Sequence, residues 1–199
     1  MAAAQKRPSD EATAIRGGAV TEDRGSLRDA APPSRPAPGG VLSLDLSSRC
    51  GFAYGIPGLK LPAAWGCWLL PQKYLGDRLN AFRSVFVEAL IEYQPVLVFK
   101  EAPLAHFTTD PLHVVRQQYG LDAYVEGECA ELGIRCVEQE PGTIRHEVLG
   151  CGQFAKGTVK AVVIRWAQQR GIDTDNDNVA DACCGWEFAV RHVLRRELV

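Results

Sequence analysis

The chain has 199 residues, of which 46% are hydrophobic and 23% charged, and its formal net charge is −2. This length accommodates one well-buried domain and is short for two, and the composition is that of an ordinary globular protein. No apolar run approaches the roughly 20 residues of a membrane helix, and no basic-then-apolar signal pattern opens the chain, so we expect a cytoplasmic protein without a membrane partner. The mildly acidic balance excludes a uniformly basic surface, so contacts with nucleic acid would require local basic patches.

The first 40 residues differ in composition from the rest of the chain. Residues 31–40 are rich in Pro and Gly, and the segment before them is rich in Ala, with mixed charges and few large apolar side chains. Such a segment buries too little apolar surface to offset the entropy lost on ordering. We therefore predict a disordered tail over residues 1–40 and a single domain over residues 41–199.

Three short strands are predicted at the start of the domain. The sequence VLSLDLSS (41–48) alternates two sets of side chains with the period of a strand. The sequences GFAYGI (51–56) and AAWGCWLL (63–70) indicate two more strands. Because the connections between them are short, we expect an antiparallel meander.

Helical and strand patterns then alternate. Apolar residues recur every three or four positions from Leu75 to Leu90, and Pro95 ends this helix. The run VLVFKE (96–101) suits a central strand covered on both faces. The order of elements predicts an α/β fold with a mixed five-stranded sheet and helices on both faces. The remaining predicted elements are a helix or helix pair over 109–132 broken near Gly120, a strand over 133–139, and helices over 141–150, 158–170 and 178–197.

Three acidic residues fall where a ligand site is expected. Asp45 lies in the first predicted strand, Glu101 ends the fourth, and Asp181 lies near the start of the last helix. If strands one and four are neighbours, Asp45 and Glu101 face each other and the last helix brings Asp181 to them. Clustered carboxylates repel one another, and oxygen ligands suit Mg²⁺ or Mn²⁺. Taken singly, each acid also fits a buried polar residue, a solvated strand end or a helix cap.

Four segments form an ordered set of motifs. They are LSLDLSSRCGFAYG (42–55), VFKEAP (98–103), GCGQFAKGTVKAVVI (150–164) and DNVADACCGWEFAV (177–190). In this order they resemble the motifs of RuvC-like Holliday junction resolvases, which are crossover junction endodeoxyribonucleases of the RNase H-like superfamily. The similarity is greatest to divergent members from phages and prophages, and it covers residues 41–195.

This resemblance implies an RNase H-like nuclease domain that acts as a homodimer in DNA recombination and repair. It implies two Mg²⁺ or Mn²⁺ ions and nicking of four-way or otherwise branched DNA. The metal ligands carried over from the motifs are Asp45, Glu101 and Asp181. Many relatives have another Asp three residues before the last one, and here that position is Asn178, with Asp177 beside it. Either Asn178 ligates through its carbonyl oxygen or Asp177 reaches the ion, and we favour Asn178.

Basic residues near the motifs are candidate DNA contacts, because phosphate contacts dominate affinity for nucleic acid. Each of them also fits an ordinary solvated surface charge. The predicted DNA-binding residues are Lys156, Lys160, Arg145, Arg49 and Arg116.

Two other functions stay open. A sugar-kinase-like ATPase has the same type of sheet, but it would need a second Gly-rich phosphate loop that the sequence does not show. A non-catalytic protein that binds branched DNA, or a phage scaffold, would agree with an uncharged Asn178 where relatives have Asp. Nicking that depends on both metal and Asp45 distinguishes a nuclease from either of these.

Overall fold

The computed structural model describes residues 36–103, 111–152, 154–155 and 157–194. No helix in these ranges is long and apolar enough to cross a bilayer. The chain forms strands β1 (Val41–Asp45), β2 (Arg49–Gly55), β3 (Ala64–Leu69), β4 (Leu97–Glu101) and β5 (Arg135–Gln139). Its helices are α1 (Leu75–Tyr93), α2 (Leu112–Leu132), α3 (Pro141–Leu149), α4 (Val159–Gln169) and α5 (Asp177–Phe188), and a π-helical turn (Ala189–Val193) follows α5.

The five strands form one mixed sheet in the order β3-β2-β1-β4-β5. The first three strands pair antiparallel as a meander, whereas β4 runs parallel to both β1 and β5. The predicted sheet and its meander are confirmed. Because β1 and β4 are neighbours and parallel, their carboxyl ends lie at the same edge of the sheet.

Helices cover both faces of the sheet, as predicted. Successive side chains of a strand point to opposite faces. Leu42 and Leu44 of β1 accordingly pack with α1 and α2, while Val41 packs on the other face with α3, α4 and α5. The polar side of the alternation in β1, which includes Ser43 and Asp45, therefore faces the α5 layer.

Helix α5 lies unusually close to the sheet. A Cβ atom added at Gly185 would be 2.6 Å from the Ser43 hydroxyl oxygen of β1, so a larger residue would require Ser43 to shift. One residue later, the indole Nε1 of Trp186 donates a 3.1 Å hydrogen bond to the carbonyl oxygen of Gly55 in β2. These contacts fix the position of α5 over the first two strands.

Two helices can be compared with their predicted forms. Of the two alternatives for residues 109–132, the single helix is confirmed and the pair broken near Gly120 is wrong, because α2 is continuous. A Cβ at Gly120 would be 3.1 Å from Leu79 of α1. The glycine thus makes room for helix packing and does not interrupt the helix. The last helix begins one residue earlier than predicted, at Asp177, and becomes π-helical at Ala189. Residues 109–110 and 195–197 of the predicted helices lie outside the described residues.

The described part of the chain includes the end of the predicted tail. The Tyr54 hydroxyl donates a 2.6 Å hydrogen bond to the carbonyl oxygen of Ala37 and accepts a 3.0 Å bond from the backbone N–H of Gly40. The N–H of Gly39 donates to the carbonyl oxygen of Gln94 at 3.0 Å. Residues 37–40 are therefore attached to the domain, while residues 1–35 of the predicted tail lie outside the described residues.

Candidate active site

The ends of β1 and β4 carry two of the predicted acids. Asp45 is the last residue of β1, and Glu101 is the last residue of β4. The residues just before them, Leu44 and Lys100, are paired in the sheet. Leu44 and Lys100 point away from α5, so the next residue in each strand points towards it. The fold therefore sets the carboxylates of Asp45 and Glu101 side by side on the face that α5 covers.

Gly51 lets α5 approach Asp45. Gly51 lies opposite Asp45 in the β1–β2 pair, and a Cβ added to it would be 2.0 Å from the carbonyl oxygen of Asn178. The first turn of α5 thus rests directly on the backbone of β2. Asn176 caps this turn, because its side-chain oxygen accepts a 3.0 Å hydrogen bond from the N–H of Asn178. Asp181 follows one turn later, beside the ends of β1 and β4.

The three carboxylates lie close enough to influence one another. Burial and the charges of Glu101, Asp181 and Asp177 raise the pKa of Asp45 well above its usual range. Burial and the charge of Asp181 raise the pKa of Glu101 to about 7. Burial also raises the pKa of Asp181, although Arg145 opposes this shift. Asp45, Glu101 and Asp181, hereafter the acidic site, thus form a group whose negative charge is poorly compensated by protein cations.

Arg145 offsets part of this charge, and Lys160 contributes to a smaller extent. Its guanidinium Nη2 lies 3.2 Å from Oδ1 of Asp181, and the two side chains are 18% and 14% exposed. Burial alone would lower the pKa of Arg145, but the charges of Asp181 and Glu101 raise it above its ordinary value. Arg145, predicted as a phosphate contact, is therefore an ion-pair partner within the acidic site.

A small cavity of about 60 Å³ opens beside the acidic site. Asp45, Glu101, Pro141 and Gln118 are among its lining residues. The Glu101 Oε1 and Gln118 Oε1 atoms are shielded from solvent and have no hydrogen-bond partner among the described residues. Gln118 was not among the predicted site residues. A sequence signal was present, because Gln118 lies on the α2 face formed by buried Val115, Leu121, Val125 and Cys129, where an apolar residue is expected.

The residues at the start of α5 lie beside the acidic site. Asp177 is the first residue of α5, where its charge raises the pKa of both Asp45 and Asp181. It forms an ion pair with Lys160 of α4, whose side chain is otherwise 75% exposed. The Asn178 amide Nδ2 donates to Asn176 Oδ1 at 3.3 Å. Asp177 thus acts on the carboxylates of the acidic site, whereas Asn178 has its backbone carbonyl against Gly51 and its amide bonded to Asn176. Which of the two is the fourth ligand stays a prediction.

The remaining predicted DNA contacts are Arg49, Arg116 and Lys156. Arg49 is exposed at the first position of β2, next to the turn that follows Asp45. Arg116 is exposed on α2, two positions before Gln118. Lys156 lies outside the described residues.

A second acidic group lies on the opposite face of the sheet and is partly compensated by a buried lysine. Among the described residues, Asp122, Glu126 and Glu138 are the acids whose carboxylate oxygens all lie within 4.8 Å of one another. Lys100 Nζ is 2.5, 3.2 and 2.6 Å from these three carboxylates and is 1% exposed. Because an ammonium group occupies the position that an ion would need, this Lys100 cluster is a structural ion-pair network and not the metal site predicted from the motifs.

The fold is similar to that of several solved structures. Thermus thermophilus RuvC in complex with a Holliday junction substrate has a TM-score of 0.61 and 16% sequence identity, with 80% of this chain and 96% of that chain covered. A second Thermus thermophilus RuvC structure has a TM-score of 0.57 and 18% identity over the same shares. The yeast mitochondrial Holliday junction resolvase gives 0.49 and 11% over 84% and 85%.

No family model matches the sequence. A search of curated proteins likewise gives no match. The two RuvC structures nevertheless have the fold that the resemblance of the four motifs implies. The chain thus has the RNase H-like fold of the RuvC Holliday junction resolvases.

Proposed function

We propose that this protein is a metal-dependent endonuclease that nicks branched DNA, with four-way junctions as the primary substrate. One observation carries the proposal. Three acids from separate elements converge at the carboxyl ends of the central parallel strands, in a fold shared with RuvC, of which one structure contains a Holliday junction substrate.

The chemistry of the acidic site fits a divalent cation. Burial and mutual repulsion oppose ionisation of its carboxylates, and Glu101 Oε1 is buried without a partner. A cation reverses this balance, because it favours the charged form of every nearby carboxylate. Oxygen ligands of this kind suit Mg²⁺ or Mn²⁺. When bound, such ions activate a water and stabilise the leaving oxygen of a phosphodiester.

The residues of this chain then have distinct roles. Asp45, Glu101 and Asp181 hold the first ion, and Asn178 or Asp177 completes the site for a second. An Asn178 oxygen brings no charge, so we propose that the second ion is held more weakly than the first. Arg145 compensates Asp181 and lies where it can also contact a phosphate. Lys160, Arg49, Arg116 and Lys156 are proposed contacts to the DNA backbone, acting through charge and not through base recognition.

A homodimer is part of the proposal. Resolution of a four-way junction requires two nicks in strands of like polarity, and each acidic site supplies one nick. Two copies of this chain related by a two-fold axis match the approximate two-fold symmetry of the junction.

The experiment compares a labelled four-way junction with a flap and a linear duplex of the same sequence. Wild type with Mg²⁺ or Mn²⁺ is expected to nick the junction preferentially and to be inactive in EDTA. Asp45→Asn should retain junction binding and lose nicking. Asp173→Asn changes an exposed acid just before α5 and serves as the matched control, with activity expected to equal that of wild type.

Three outcomes would contradict the proposal. Metal-independent nicking excludes the proposed mechanism, and equal nicking of the linear duplex excludes structure selectivity. Junction binding by wild type without nicking in either metal would support the alternative of a non-catalytic branched-DNA-binding protein, which Asn178 favours.

A further inference from the structure

Gln118 is a polar side chain in an apolar position of α2. Its neighbours on the same helix face are buried: Val115, and also Leu121 and Val125, which belong to the core under the sheet. A buried amide oxygen without a partner costs roughly 1–3 kcal/mol. An uncompensated oxygen on a residue that lines a cavity indicates a water or an ion in that cavity.

The cavity that Gln118 lines is that of the acidic site. Glu101 contributes a second shielded oxygen without a partner among the described residues, and Asp45 lines the same space. The volume of about 60 Å³ accepts a few water molecules or a hydrated cation. An ionised Glu101 carboxylate and an amide oxygen are both acceptors, so a water or a cation between them would satisfy both.

Gln118 reaches this cavity from the other layer of the fold. Asp122, one turn further along α2, binds the buried ammonium of Lys100. Lys100 directly precedes Glu101 in β4, so the same stretch of α2 is fixed against β4 by an ion pair. This ion pair fixes the turn of α2 that carries Gln118 beside the end of β4.

We propose that Gln118 is a positioning residue of the acidic site, whose amide oxygen orients Glu101 and the hydrated divalent cation through a shared water in their cavity. This inference rests on the proposed function. Residues that hold metal ligands through a second layer of hydrogen bonds typically change metal affinity by about 10–100-fold when they are replaced.

The test measures Mn²⁺ binding to the full-length protein by calorimetry, without DNA. Gln118→Met keeps the size of the side chain and removes the oxygen, and it should weaken Mn²⁺ binding by at least about 10-fold. Gln118→Glu keeps an oxygen acceptor and should bind Mn²⁺ at least as tightly as wild type. The control is Gln117→Met, because Gln117 bonds to Arg78 and lies outside the cavity lining.

The melting temperature of each variant in EDTA shows whether the substitution has destabilised the whole fold. Unchanged Mn²⁺ affinity in Gln118→Met overturns this inference and leaves the proposed function intact, provided that Asp45→Asn abolishes binding. Equal weakening in Gln118→Met and Gln118→Glu also overturns it, because the oxygen is then irrelevant. Failure of wild type both to bind Mn²⁺ and to nick a junction overturns the proposed function together with this inference.

Discussion

The contact between Gly51 and α5 gives the sharpest structural prediction. A Cβ added to Gly51 lies 2.0 Å from the carbonyl oxygen and 2.4 Å from the carbonyl carbon of Asn178. Real Cβ atoms essentially never approach closer than 3.0 Å. The obstacle is backbone and not a flexible side chain, so Gly51→Ala must displace the start of α5 from β2 by about 1 Å, the difference between 3.0 and 2.0 Å.

This displacement affects both stability and the acidic site. Forcing extra volume into a packed contact typically costs about 1–3 kcal/mol, and we expect the upper half of this range because the backbone must move. The same movement carries Asp181 away from Asp45 and Glu101. A misplacement of about 1 Å can reduce a catalytic rate by roughly 100-fold. We therefore expect Gly51→Ala to be destabilised by about 2–3 kcal/mol and to lose most metal-dependent nicking.

Urea unfolding in EDTA measures the stability, and single-turnover nicking of a four-way junction measures the activity. Gly127→Ala is the matched control, because a Cβ at Gly127 in α2 has nothing within 4 Å. That substitution should stabilise the protein by about 0.5–1 kcal/mol through helix propensity. A Gly51→Ala protein that is as stable and as active as wild type would refute the proposed packing of α5 against β2.

Three further predictions concern charged residues. In EDTA, wild type should lose stability as pH rises from about 4.5 to about 7, because folding raises the pKa of Glu101. Glu101→Gln should flatten this part of the plot of unfolding free energy against pH, measured with urea. An unchanged slope would contradict the raised pKa of Glu101. Lys100→Met should destabilise the protein by about 1–3 kcal/mol, because the largely buried Asp122 loses its partner, and an unchanged urea midpoint would exclude a structural Lys100 cluster. Arg145→Gln should lower the melting temperature in EDTA at pH 8, since Asp181 loses its ion pair. Added Mn²⁺ should raise the melting temperature of this variant by more than it raises that of wild type. Equal melting curves would argue against charge compensation by Arg145.

Much of the fold was predictable because its signals are local. The alternation over 41–48 and the apolar run ending at Glu101 depend on strand geometry, and both strands form where expected. The position of Asp45 beside Glu101 followed once these strands were treated as neighbours, and the parallel register confirms it. The convergence of Asp181 on this edge could be inferred only from the order of the motifs, because no local pattern encodes the packing of α5.

The features that were missed depend on contacts between distant segments. From the sequence, Lys100 is a charged residue near the end of an apolar strand. In the structure it is buried and paired with acids of α2 and β5. Gly120 reads as a helix breaker but makes room for Leu79 of another helix. Gln118 could have been noticed as a polar residue on an apolar helix face, but its cavity exists only after β1, β4 and α3 have assembled.

The measurement that tests the central claim most directly compares two substitutions, Asp181→Asn in the acidic site and Asp122→Asn in the Lys100 cluster. Both remove one negative charge, and both proteins are assayed for Mn²⁺-dependent nicking of a four-way junction. Since second-layer changes already cost about 10–100-fold in metal sites, loss of a direct ligand in Asp181→Asn should reduce nicking by at least about 100-fold. Asp122→Asn should retain nicking at the wild-type rate at temperatures where it is folded. Loss of nicking in Asp122→Asn with full activity in Asp181→Asn would contradict the assignment and place the metal on the opposite face of the sheet.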